Sequence, residues 1–129
     1  MIDLNKDYRY DVLTDLFKDA IGETITDIHR IEDEEIHFTL SSGVKIVMHH
    51  EQSCCEDVVV DDICGNLHDL IDSPIIRFEE RSNENETEYG SETWTFYEMA
   101  TIKGSVTIKW HGSSNGYYSE SVDFKVLKQ

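Results

Sequence analysis

The sequence predicts an α+β fold, a mainly antiparallel β-sheet accompanied by two short helices. Beyond residue 24, apolar residues recur at every second position in several segments, which is the pattern of half-buried strands. Turn-forming residues separate these segments at short intervals, as antiparallel neighbours require. A length of 129 residues is sufficient for one hydrophobic core, so we expect residues 1–129 to form a single domain.

Two segments predict the short helices. Residues 10–20 place their apolar side chains at helical intervals with acidic residues on the opposite face, and Gly22 ends the helix. Residues 66–71 indicate a briefer helix that closes at Ser73-Pro74.

The other predicted elements are strands and their connections. Asn115-Gly116 predicts a hairpin, because such a pair accepts the positive φ of a tight turn. Residues 82–92 are polar, acidic and aperiodic, which predicts a mobile loop. The predicted strands are 36–40, 44–48, 57–60, 75–80, 93–102, 105–110 and 122–126.

The formal net charge of −16, with 27 acidic residues against 11 Lys and Arg, limits the partners. Such a field repels phosphates, so we expect no direct binding of nucleic acid. It favours a basic surface, for which the groove of a nucleic-acid-binding protein is a candidate. The alternative is an acidic surface that serves solubility alone.

The sequence also predicts a compartment. It lacks the roughly 20-residue apolar run of a membrane helix and an apolar signal region, so we expect neither membrane insertion nor secretion. Three cysteines, two of them adjacent, make a poor disulfide framework and predict reduced thiols in a cytoplasmic protein. We expect a monomer or a small homo-oligomer.

Residues 49–68 contain all three cysteines and three of the six histidines. Zinc takes about four ligands, and thiolate sulfur and imidazole nitrogen are its usual donors. Spacings of three intervening residues let two ligands meet on one helical turn or across a tight loop. The alternative is a set of buried, reduced thiols beside a solvated histidine pair. The predicted zinc ligands are His50, Cys54, Cys55, Cys64 and His68.

Catalysis has weaker support. Glu51 or Glu56 could act as the general base of a zinc hydrolase, but no HExxH pattern places either one opposite a metal. Cys54 or Cys55 beside His50 suggests a nucleophilic pair, yet the sequence indicates no orienting partner and no oxyanion hole. We therefore predict no catalytic residues, and a structural zinc ion that ties the long loop to the sheet.

Four phrases together are distinctive: HHEQSCCEDV, DICGNLHDLIDSPI, WTFYEMATIKGSVTIKW and GSSNGYYSESVDF. They resemble a family of small proteins encoded by bacteriophages, prophages and their hosts, over roughly residues 40–125. The most specific parts are HxxxCCE, matched by His50, Cys54, Cys55 and Glu56, and SNGYYSE; Cys64 and His68 lie in a more variable stretch. The resemblance implies no settled activity, but it implies a phage setting, where small acidic proteins often inhibit host defence.

We therefore predict a non-catalytic, zinc-containing inhibitor similar to anti-CRISPR proteins. It would bind a nucleic-acid-binding host nuclease, such as an RNA-guided nuclease, and block the loading of DNA. Two other functions stay open. One is a sponge that holds a small nucleotide signal through Lys103, Lys109 and the tyrosines, and the other is the zinc hydrolase.

Overall fold

A computed structural model describes residues 1–6, 8 and 13–128. Over these residues the chain forms one α-helix, one 3-10 helix and eight strands, so the fold is mainly β. The predicted antiparallel sheet is confirmed, but the predicted α+β class with two helices is wrong, because the segment at 66–71 forms only a 3-10 helix. Residues 10–12 of the first predicted helix lie outside the described residues. In chain order the elements are α1 Leu13–Ala20, β1 Ile25–Ile31, β2 Glu35–Leu40, β3 Val44–His49, β4 Asp57–Cys64, the 3-10 helix Leu67–Leu70, β5 Arg77–Thr87, β6 Gly90–Thr101, β7 Gly104–Ser114 and β8 Asp123–Lys128.

The strands of the described chain form two antiparallel sheets of four strands each. The first sheet has the order β1-β2-β3-β8, and the second has the order β4-β7-β6-β5. β7 and β8 belong to different sheets, so the predicted hairpin at Asn115-Gly116 is wrong. The turn forms, with Gly116 at φ 92°, but it sends the chain across to β3, where Phe124 lies opposite Met48.

The predicted mobile loop at 82–92 is also wrong. β5 and β6 pair from Arg77 opposite Ala100 to Thr87 opposite Gly90, which makes a long hairpin. Residues 79–89 are all exposed. Their polarity follows from this exposure, because β5 is an edge strand whose outer part has no neighbouring layer to pack against.

An aromatic cluster joins the helix to both sheets. The ring of Phe17 in α1 lies 4.3 Å from that of Phe78 in β5 and 5.4 Å from that of Phe124 in β8. The Tyr97 ring of β6 packs edge-on against Phe124 at 5.3 Å. Burying each such side chain stabilises the fold by roughly 2–3 kcal/mol, so this cluster is a main contact between the sheets.

Two connections that cross between the sheets lie side by side. The crossing loop, residues 50–56, leads from β3 to β4, and the return loop, residues 115–122, leads from β7 back to β8. The imidazole Nδ1 of His50 lies 2.7 Å from the carbonyl oxygen of Ser121, and the amide of Glu51 donates to the Asp123 carboxylate at 2.8 Å. These contacts bring the HxxxCCE and SNGYYSE phrases together.

Candidate functional site

The crossing loop is organised around the carboxylate of Glu56. This side chain is fully buried, and its oxygens accept hydrogen bonds from the backbone amides of Ser53 at 3.0 Å and Cys54 at 2.8 Å. The imidazole Nε2 of His50 lies 2.9 Å from the Glu56 carboxylate, and the side-chain amide of Gln52 donates to that carboxylate at 3.3 Å. Burial acts to raise the pKa of Glu56, but the hydrogen bonds outweigh it and lower that pKa to about 2.

His50 connects Glu56 to the return loop. Its side chain is 4% exposed, and its two ring nitrogens face the Ser121 carbonyl and the Glu56 carboxylate. A carbonyl oxygen and an ionised carboxylate can only accept, so both ring nitrogens of His50 face acceptors of the protein.

The adjacent cysteines are bonded to each other. A disulfide joins Cys54 to Cys55 in an irregular, exposed part of the crossing loop, where neighbouring side chains need not point apart as they do in a strand. This differs from the predicted pair of reduced thiols.

The predicted zinc ligands are separated in the fold. Cys64, the free cysteine of the described chain, ends β4 and lies roughly 20 Å along that strand from the crossing loop. Its sulfur is 3.6 Å from the Asp62 carboxylate, and His68 is exposed on the 3-10 helix. Across the described residues, no three His, Cys, Asp or Glu side chains are placed to hold a metal ion together. Of the five predicted ligands, His50, Cys54 and Cys55 share the crossing loop, whereas Cys64 and His68 lie elsewhere.

A second buried carboxylate lies on the return loop. Glu120 is 9% exposed and accepts hydrogen bonds from the hydroxyls of Ser91 at 2.5 Å, Thr93 at 2.8 Å and Ser114. Burial acts to raise the pKa of Glu120, but these three hydroxyls lower it overall. Glu120 is thus held as an anion against the inner face of the second sheet.

A cleft of about 400 Å³ opens beside Glu120, between the return loop and the inner faces of β5 and β6. Its lining combines carboxylates and hydroxyls with apolar groups and includes Glu80, Glu84, Glu120, Thr93, Thr95 and Tyr118. At its inner end the Tyr97 hydroxyl donates to the Glu80 carboxylate at 2.6 Å. Burial, and secondarily the negative charge of Glu80, raises the pKa of Tyr97, so this hydroxyl keeps its proton.

The sequence does not predict this cleft, because the polar, aperiodic residues 82–92 indicate a loop and not two paired strands. A signal was present in the chain: Ser91, Thr93 and Thr95 occupy alternate positions that continue the inward row of Tyr97 and Met99. A run of hydroxyl side chains at core positions of a strand indicates that the buried face turns polar there.

A family model described as a domain of unknown function (DUF7448) matches residues 18–124, which is most of the chain. The chain belongs to the DUF7448 family. The matched region begins in α1 and ends in β8, so this DUF7448 domain includes the crossing loop, the return loop and the cleft. No curated protein and no solved structure matches the chain.

The two lysines of the nucleotide-sponge hypothesis lie outside the cleft of the DUF7448 domain, whereas Tyr97 and Tyr118 line it. The Lys103 ammonium donates to the Ile71 carbonyl at 2.6 Å. The Lys109 ammonium lies 4.4 Å above the Trp94 ring and 3.6 Å from the Asp61 carboxylate. Both lysines therefore already contact acceptors or rings of the protein.

The two glutamates considered as a general base differ in their exposure. Glu51 is exposed, whereas Glu56, the other candidate base, is buried with its oxygens hydrogen-bonded.

In the part of the chain that the structure describes, no helix is long and apolar enough to cross a bilayer.

Proposed function

We propose that this protein is a non-catalytic inhibitor that occupies the basic, nucleic-acid-binding surface of a partner protein and thereby blocks the loading of DNA. In the phage setting that the resemblance implies, the partner is a host defence nuclease, such as an RNA-guided nuclease, in the host cytosol. The observation that carries this proposal is the acidic β5–β6 hairpin.

The hairpin concentrates negative charge on one projecting element. Residues 79–92 contain six glutamates and a single arginine, and residues 79–89 are exposed. Glu84 and Glu86 lie on one face of β5, about 7 Å apart along the strand, and Glu88 follows in the turn. A basic groove built for phosphates is complementary to such a row of carboxylates.

Strand pairing makes the hairpin a better binding element than a mobile loop. Its backbone is ordered before binding, so less conformational entropy is lost when it docks. The net charge of −16 supports fast, electrostatically steered association with a basic surface, which weakens as salt is added. The same charges also keep the exposed edge of β5 from pairing with another copy.

Zinc binding by the crossing loop stays a prediction. Reduction of the Cys54–Cys55 bond returns two thiols to the loop that contains His50, which is the part of the predicted ligand set that shares one segment. In the proposed function a zinc ion stabilises the fold of this loop and takes no part in a reaction.

A competition experiment tests the proposed function. A guide-loaded, Cas9-type RNA-guided nuclease is incubated with fluorescently labelled target duplex, and DNA loading is followed by anisotropy as the protein is added. We expect loss of DNA loading at low salt, and weaker inhibition by a Glu86→Gln/Glu88→Gln variant. At about 150 mM salt, the removal of two contact charges is expected to weaken inhibition roughly tenfold.

The matched control carries Glu32→Gln and Glu34→Gln, which remove the same charge from the exposed turn between β1 and β2. If the control loses as much inhibition as the hairpin variant, net charge and not the hairpin is responsible. If excess protein leaves DNA loading intact at low salt, this nuclease class is not the target.

A further inference from the structure

The cleft beside Glu120 has a lining that suits one class of ligand. We propose that it binds an ammonium or guanidinium group, carried either by a free polyamine or by a lysine or arginine side chain of a protein. This inference does not rest on the proposed function, because a free polyamine would fill the cleft without any partner protein.

The first support is uncompensated charge. Carboxylates of Glu80, Glu84 and Glu120 line the cleft, and none of the described residues that line it is Lys, Arg or His. Glu120 is buried against the sheet, where the dielectric constant is lower than in water and the attraction of its carboxylate for a cation is therefore stronger. A concave surface with one sign of charge concentrates ions of the opposite sign.

The second support is the direction of the hydrogen bonds. Ser91 and Thr93 both give their hydroxyl protons to Glu120. Each hydroxyl carries one proton and two lone pairs, so these two oxygens have only acceptor capacity left. Carboxylates are acceptors as well, and a lining of this kind favours a ligand that only donates. Ammonium and guanidinium groups are such ligands, whereas phosphate and carboxylate groups are not.

The third support is an unused polar group. Thr95 is 5% exposed and lines the cleft, and no hydrogen bond within the described chain engages its hydroxyl. This hydroxyl is therefore available to accept a hydrogen bond from a ligand N–H in the cleft. Tyr118 lines the same cleft with an aromatic ring, a group that attracts cations to its face.

Size and spacing distinguish an organic cation from a metal ion. The cleft volume of about 400 Å³ equals that of roughly a dozen water molecules, which is far larger than a metal ion needs. Within the described residues, its carboxylates do not converge into a group that could hold a metal. Separated acceptors around a wide space suit the several N–H donors of a guanidinium or a polyamine.

Two probes test the site in the full chain: spermidine and the peptide acetyl-Gly-Arg-Gly-amide. Each is titrated at about 150 mM NaCl into isotopically labelled protein, and amide shifts are followed by NMR. We expect saturable shifts centred on Thr93, Thr95 and Tyr118. Glu84→Gln, an exposed change at the cleft, is expected to weaken binding at least about fourfold, as the loss of one charge near the ligand predicts.

Glu34→Gln is the control, because it removes an equal charge from an exposed turn outside the cleft. Tighter binding of the peptide identifies a protein side chain as the source of the cation, and tighter binding of spermidine identifies a free polyamine. The proposal is overturned if neither probe shifts the cleft residues, or if Glu34→Gln weakens binding as much as Glu84→Gln.

Discussion

Gly112 lies directly beneath Glu120. A Cβ atom at residue 112 would stand 2.6 Å from the carbonyl oxygen of Glu120 and 2.8 Å from its Cβ atom. Contacts this short do not occur between real atoms, so the return loop reaches the sheet only because β7 has no side chain there. The position of the buried carboxylate, and of the cleft beside it, therefore depends on the absence of a side chain at Gly112.

Gly112→Ala is therefore expected to displace the return loop. The added methyl group meets backbone atoms that cannot rotate away, and overpacking of this kind costs about 1–3 kcal/mol. Urea unfolding measures the loss of stability. NMR shifts of Ser91 and Thr93, whose hydroxyls donate to Glu120, report the displacement.

Ser113→Ala is the neighbouring control, because it changes a half-buried hydroxyl on the same strand. We expect it to alter stability by no more than about 0.5 kcal/mol. Equal effects of the two substitutions would mean that the contact between Gly112 and Glu120 has no special importance.

His50→Ala is expected to lower the melting temperature by roughly 10 °C. The substitution leaves the buried Glu56 carboxylate and the Ser121 carbonyl without the imidazole that joins them. His29→Ala is the control, since His29 is exposed on β1, and a change below roughly 2 °C is expected. Differential scanning calorimetry measures both melting temperatures. If His50→Ala leaves the melting temperature unchanged, the two loops do not depend on this contact.

Acid is expected to remove the stability that ionised Glu56 contributes. Its pKa falls from an ordinary value of 4.5 to about 2 on folding, so between these values the unfolded chain binds more protons. The contribution is complete above about pH 4.5 and is lost as the pH falls towards 2. Carbon NMR of the Glu56 carboxyl in the folded protein measures the pKa directly. A midpoint near 4.5 would contradict the expectation.

Zinc binding is testable by elemental analysis of protein kept reduced. The crossing loop contains three of the predicted ligands, so we expect about one zinc per chain in the reduced protein and none after Cys54→Ser. Cys64→Ser is the control, because Cys64 ends the far side of β4, and it is expected to retain the ion. A reduced protein that takes up no zinc would rule the site out.

Strands with a local alternating pattern were predictable. β2 buries Ile36, Phe38 and Leu40 and leaves the residues between them half-exposed, which is the pattern that the sequence indicates. The later strands run longer than predicted, as in β7, which continues from Gly104 to Ser114. Hydrogen bonds to neighbouring strands extend a strand beyond the part that its hydrophobic pattern marks.

The site was predictable only in part. The importance of the HxxxCCE phrase could be recognised from its unusual residues, but their arrangement could not. Glu56 was considered as a base, and in the fold it accepts the hydrogen bonds that organise the crossing loop. The donor chemistry and spacing of Cys64 and His68 place them in the predicted ligand set, but the eight-residue strand β4 separates both from the crossing loop in space.

What the chain determined locally was the character of each segment: apolar alternation in β2 and β3, a turn at Asn115-Gly116, and an acidic stretch at 82–92. The tertiary structure decided what each segment faces. The Asn-Gly turn leads to the other sheet, the acidic stretch forms the paired end of the β5–β6 hairpin, and Glu120 on the return loop reaches Ser91 and Thr93 of β6. The physical reason is range: dihedral preferences and periodicity act over a few residues, whereas strand partners and buried polar contacts join residues that are distant in the sequence.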